Sequence, residues 1–118
     1  MNIIAIVQAR LGSKRLPNKV MKLINNVPMI EIILRRLSKS KVLNNIVVAT
    51  SDDSEDIKLK NFINTLGYDC EQGSRDDVLN RYICVATKYK ADLIVRITGD
   101  CPLIDPDLVD QVIQKFIK

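Results

Sequence analysis

Four cations, a glycine and a serine are gathered in the stretch Val7 to Lys19, VQARLGSKRLPNK, where Arg10, Lys14, Arg15 and Lys19 surround Gly12 and Ser13. A Gly-Ser pair permits a tight turn whose backbone N–H groups face an anion, and guanidinium and ammonium groups around such a turn neutralise phosphate oxygens. The stretch contains neither the spacing of a P-loop nor the dinucleotide-binding G-x-G-x-x-G, so its alternative reading is a solvated basic loop. A carboxylate is the natural counterpart of a polyphosphate, because Mg²⁺ takes one or two carboxylates plus substrate phosphate oxygens. Asp100, in TGDCPLIDP, is the candidate metal ligand; the competing reading makes it a turn residue beside Gly99.

Two further loops carry weaker signals. In ATSDDSED, Ser51 or Asp52 could approach a ligand, although capping of a following helix explains the same residues with less assumption. In QGSRDDVLNRY, Gly73, Ser74 and Arg75 could touch a base or a sugar, with Arg75 the strongest candidate and Asp76 or Asp77 opening a helix. Asp105 and Asp107 flank Pro106 and read as helix-capping and dipole-complementing residues. With no histidine in the chain, Ser/His/Asp and Cys/His catalysis are excluded.

These loops need elements that bring them together. Asn2 to Gln8, Asn45 to Thr50 and Asp92 to Thr98 are short continuous apolar runs, the pattern of strands buried on both faces, and Tyr68 to Glu71 is a shorter fourth. Helical periodicity predicts helices over Pro28 to Lys39, with Met29, Ile30, Ile33, Leu34 and Leu37 inward, and over Asp53 to Leu66. Two more are predicted over Asp76 to Lys88, with Val78, Leu79, Tyr82, Ile83 and Ala86 inward, and over Pro106 to Ile117. The alternation predicts an α/β fold: a Rossmann-like three-layer α/β/α arrangement with a mostly parallel sheet. Ligands of such folds lie at the carboxyl ends of the strands, near the switch point, where the basic stretch and Asp100 would meet if the first and fourth strands are neighbours.

Composition narrows the class. At 118 residues and 47% hydrophobic, the chain fits one globular domain, residues 1–118. The apolar runs are too short to span a bilayer, no signal peptide pattern is present, and a cytoplasmic location is expected. Cys70, Cys84 and Cys101 match neither a disulfide framework nor a zinc site and read as free thiols. A net charge of +4 with only 4% aromatic residues offers no stacking platform, so no nucleic-acid partner is expected.

Taken in order, QARLGSKRLPNK, VATSDD and RITGDCPLIDP resemble the signature segments of the sugar cytidylyltransferases, the CMP-sugar synthetase type of nucleotidyltransferase. GSRDDVLNRY brings the chain nearest to the proteins of spore-coat polysaccharide biosynthesis. The resemblance implies the fold of nucleotide-diphospho-sugar transferases and transfer of CMP from CTP to a sugar hydroxyl, releasing pyrophosphate, for cell-surface or spore-coat polysaccharide. It implies that Ala9, Arg10, Gly12, Ser13, Arg15, Lys19 and Arg75 bind the nucleotide, that Arg15, Lys19 and Asp100 are catalytic, and that Asp100 holds Mg²⁺. CTP and a sugar are the implied substrates, and a homodimer is compatible with the resemblance. Two positions depart from the pattern, Thr98 where members acting on sugar acids often carry Gln, and Cys101 after Asp100. Members are also longer, so the chain is expected to be the truncated nucleotide-binding part, with a sheet edge uncovered beside the fourth strand. A non-catalytic nucleotide or nucleotide-sugar binding module is the rival reading.

Overall fold

Strand β1 (Ile3–Gln8) runs through the centre of the molecule, and its side chains are almost wholly buried on both faces. The computed structural model describes residues 1–11, 19–99 and 103–117. In it β1 lies between β4 (Asn45–Ser51) and β6 (Leu93–Thr98), and β5 (Asp69–Gly73) pairs with β4, giving a fully parallel sheet of order β5-β4-β1-β6. The expected adjacency of the first and fourth long strands is therefore present.

Four helices cover this sheet unequally. Ile3, Ala5 and Val7 pack with buried residues of α1 (Met29–Leu37), α2 (Asp56–Thr65) and α4 (Pro106–Ile117), whereas Ile4 and Ile6 pack only with α3 (Val78–Lys88). The division follows from connection handedness. The chain steps from β1 to β4 to β5 in one direction and then jumps back past β1 to β6, so a connection of constant hand must place α3 on the opposite face. The reversal makes the β1/β6 border a topological switch point.

The inward stripe of α1 is the one its periodicity predicts, and all five of its residues are buried. The helix over Asp53 to Leu66 begins later, at Asp56, because residues 53–57 first make a turn in which the Asp56 and Ile57 N–H groups donate to Asp53 and Ser54 carbonyls. Capping by Ser51 or Asp52 is corrected here: Ser51 is the last residue of β4, and Glu55 occupies the cap without a side-chain hydrogen bond. In α3 the expected inward set is also corrected. Tyr82 is buried and Val78 partly so, but Leu79 is 68% and Ile83 53% exposed, and Arg81 and Val85 turn inward instead. Asp77 caps α3 by accepting from Asn80 N–H at 2.9 Å, and Asp105 accepts from Asp107 N–H at 2.9 Å at the start of α4.

One element escapes the sequence pattern. A 3-10 turn (Lys19–Met21) leads into a two-residue hairpin, β2 (Leu23–Ile24) with β3 (Val27–Pro28), turned by Asn25 and Asn26 at φ 52° and 68°. Two consecutive left-handed residues are what a type I′ hairpin requires, and Asn tolerates them better than most side chains. The hairpin returns the chain to α1, where Met29 N–H donates to the Lys22 carbonyl at 2.8 Å.

Candidate nucleotide site

The carboxyl ends of the four parallel strands form one rim. Gln8 stands level with Ala49 and with Thr98, and Ser51 stands level with Gly73. As β1 ends, Ala9 N–H donates to the Ala49 carbonyl at 3.1 Å, while Gly99 N–H donates to the Gln8 carbonyl at 2.8 Å. Gly99 is required for this approach: a Cβ there would lie 2.8 Å from the Gln8 carbonyl oxygen and 3.0 Å from the Ala9 methyl. Val20, from the turn that closes the basic stretch, packs on the same spot.

The basic stretch is anchored at its start by a carboxylate. Asp56 is fully buried and accepts the Leu11 N–H at 2.6 Å, while its other oxygen accepts the Ser51 hydroxyl. One side chain from α2 thus ties the exit of β1 to the end of β4. On the other side, Arg36 of α1 donates to the Ile104 carbonyl at 2.6 Å, holding the segment between β6 and α4.

Of the expected site residues, Ala9 is buried and Arg10 half-buried at the end of β1, and the backbone of Lys19 opens the 3-10 turn. Gly12, Ser13, Arg15 and Asp100 lie outside the described residues. The structure therefore brings the two borders of the predicted clamp together, through Ala9 and Gly99, without describing its central side chains. Arg75 follows β5 on the same rim and is exposed; it pairs with Asp76 at 3.2 Å and Asp53 at 3.9 Å, and Asp76 above all raises its already high pKa. Among the described residues, no group of three or more His, Cys, Asp or Glu side chains could hold a metal, and no helix is long and apolar enough to cross a membrane. Cys70 and Cys84 are free thiols, as expected.

Three rim residues were not visible as site residues in the sequence. Asp56 sits in an acidic run that reads as helix capping, and Arg81 sits where a solvated helical cation is expected. Gln8, the last residue of β1, accepts from the Tyr82 hydroxyl at 3.1 Å and so links the sheet rim to α3. Burial, followed by the proximity of Arg10, pulls the Arg81 guanidinium below its ordinary pKa, against the opposing influence of Tyr82, Asp56 and Asp52. The rim accordingly combines the hydrogen-bonded ends of β1 and β6, a cation just past β1 and another on α3, and an acidic run that follows β4.

Comparison with known proteins gives one consistent answer. A family model described as cytidylyltransferase matches residues 4–118. The chain is 38% identical over 117 residues to the spore coat polysaccharide biosynthesis protein SpsF of Bacillus subtilis, covering 96% of this chain and 49% of that protein. It superimposes on a solved cytidylyltransferase of Leptospira borgpetersenii with a TM-score of 0.94 at 37% identity, covering 99% of this chain and 49% of the other. A CMP:2-keto-3-deoxy-manno-octonic acid synthetase solved as a complex with CTP matches with a TM-score of 0.87 at 26% identity, over 99% and 48%. The chain spans about half the length of the curated relatives it matches.

Proposed function

Because the chain belongs to the cytidylyltransferase family, we propose that it is the nucleotide-binding half of an enzyme that transfers CMP from CTP to a sugar hydroxyl, releasing pyrophosphate. The observation that carries this reading is the juxtaposition at the switch point: the basic stretch leaves β1 where the end of β6 abuts it, one residue before Asp100. CTP is the nucleotide of choice because a related synthetase was solved with it, and a surface polysaccharide is the destination suggested by the spore-coat relative.

In this reading Arg10, Arg15 and Lys19 neutralise the triphosphate, Ala9, Gly12 and Ser13 let backbone N–H groups approach it, and Arg75 reaches from the end of β5. Nucleotidyl transfer asks mainly for positioning and charge neutralisation, which Arg forks and a Lys point charge supply without a protein nucleophile. Asp100 with phosphate oxygens is the type of donor set Mg²⁺ accepts. Bound there, the metal would neutralise charge on the departing pyrophosphate. The sugar hydroxyl attacks the α-phosphorus and gives up its proton to solvent, the bond to the bridging oxygen breaks, and pyrophosphate leaves with the electron pair. A cytoplasmic location agrees with the free thiols at Cys70 and Cys84.

Titration calorimetry with CTP and Mg²⁺ tests the binding half of this proposal. The chain should bind CTP, and Arg15→Ala and Lys19→Ala should each weaken binding by about tenfold or more, the scale of a lost charge-assisted contact. Pyrophosphate release with a sugar panel, measured on a chain extended to the relatives' length, tests the transfer. CTP binding without any release from the extended chain would instead support a non-catalytic nucleotide module.

A further inference from the structure

Among the described residues, β6 is hydrogen-bonded to β1 on one side and to no strand on the other, so its outer edge carries unpaired backbone N–H and C=O groups. Folded proteins protect such edges with proline, a bulge or a charge set in the path of a second strand. LIVRIT has neither proline nor glycine, and its one charge is laid aside: the Arg96 guanidinium stacks over the Tyr82 ring, 4.5 Å from its centroid. The surfaces flanking this edge are apolar. On one face Leu79 and Ile83, one turn apart on α3, line a cleft of about 430 Å³ with Ile94 and Arg96. On the other, Leu108, Val112 and Phe116 of α4 line a cleft of about 400 Å³ with Leu93 to Arg96. Among the described residues, Arg96 is the one charge lining either cleft.

We propose that this edge is a self-association surface, on which a second copy of the 118-residue chain pairs its own β6 antiparallel to the first about a two-fold axis at Val95. A two-fold contact sets the same patch against itself, so the patch must be complementary to its own copy. An apolar surface around an open strand meets that condition and offers a charged partner little to recognise. With the axis at Val95, Ile94 stands opposite the second copy's Arg96 and Leu93 opposite its Ile97, so the two guanidinium groups are not set directly across from each other. The four-stranded sheets become one continuous sheet, with α3 meeting α3 on one face and α4 meeting α4 on the other. Leu79, Ile83, Ile94, Leu108, Val112 and Phe116 are between 36% and 74% exposed, together roughly 700 Å² of side-chain surface. The largest apolar patch on a typical monomer is ~300–600 Å², and each partner of a standard interface buries ~800 Å². The six side chains therefore supply most of a stable dimer's area before the edge hydrogen bonds are added. The inference is independent of the nucleotide reading, since none of these residues is proposed to bind CTP or metal.

Sedimentation equilibrium on the 118-residue chain, from about 1 to about 200 μM, tests this. The expected result is a reversible monomer–dimer equilibrium that ends at twice 13.4 kDa and goes no further. Leu79→Lys and Phe116→Lys, both at positions open to water in the monomer, should each weaken the dimer by about tenfold or more. Ile57→Lys, at an exposed apolar position of α2, should change it by less than about twofold. A single-chain mass throughout overturns the proposal and leaves this face to the further polypeptide that the longer relatives carry. Open-ended growth, or an equal loss in Ile57→Lys, also overturns it, since either means non-specific association. Hydrogen exchange of the wild-type chain decides without any variant. The outward amides of β6 should exchange more slowly as chain concentration rises, and a dimer in which the β6 amides are indifferent to concentration overturns the assignment.

Discussion

Removing one acceptor from Asp56 should be expensive, because both of its oxygens are engaged out of water, one by the Leu11 N–H and the other by the Ser51 hydroxyl. Asn at this position keeps an acceptor for the Leu11 N–H but presents an amide donor to Ser51, whose hydroxyl must turn to accept and loses its charge-assisted bond. Asp56→Asn is expected to lower unfolding free energy by about 1–3 kcal/mol in urea denaturation, and an unchanged midpoint would refute this account of the tie. At this scale the sequence was only partly legible. Arg10, Lys19 and Arg75 announce themselves as cations in loops, and Ala9 and Gly99 as small residues at strand ends. Asp56 and Arg81 could not be read this way, since an acidic residue opening a helix and a cation within one are ordinarily solvated. Their burial arises from what α2 and α3 meet when they pack.

Element by element, β1 and β4 were plain because a strand covered on both faces must be apolar at nearly every position. Strand β6 reads the same way in the sequence, but it is covered on one face only, with Ile94, Arg96 and Thr98 exposed, because it lies at the sheet edge. Helix α1 was plain because one apolar stripe leaves one way to face the core. Helix α3 carries two overlapping stripes, Leu79 with Ile83 and Tyr82 with Val85, and periodicity alone cannot rank them. Its far end is held by Glu71 of β5, which accepts from Lys88 Nζ at 2.9 Å and from the Tyr89 hydroxyl at 2.7 Å. Burial pushes the Glu71 carboxyl up, but the hydrogen bonds from Lys88 and Tyr89 together outweigh it and hold its pKa below 4.5. A carboxylate depressed by folding stabilises the fold above its unfolded pKa, and that contribution disappears as pH falls through the folded value. Wild type should therefore exceed Glu71→Gln in stability at pH 7, the gap closing below about pH 4.5. Thermal melts across pH 3 to 8 would show this, and a gap independent of pH would contradict it.

At the scale of the whole molecule, the uneven layering leaves β6 paired with β1 alone among the described strands, as the expected uncovered edge. Ile94 and Arg96 face a cleft shared with Leu79, Tyr82 and Ile83 of α3, and a second apolar cleft lies between β6 and α4, where Leu108, Val112 and Phe116 are exposed. An apolar patch flanking an open strand edge binds apolar probes. At concentrations too low for self-association, the native chain should enhance the fluorescence of an apolar-surface dye, and Ile94→Lys with Phe116→Lys should reduce that signal without lowering the melting temperature. A native chain that leaves the dye dark would contradict the exposure of this surface. The fold class, the parallel strands and the position of the basic stretch were determined by the sequence itself, because periodicity and strand-end chemistry are local. The strand order, the face that α3 covers, the tie from Asp56 and the burial of Arg81 were decided only in the tertiary structure, because each depends on which distant surfaces meet.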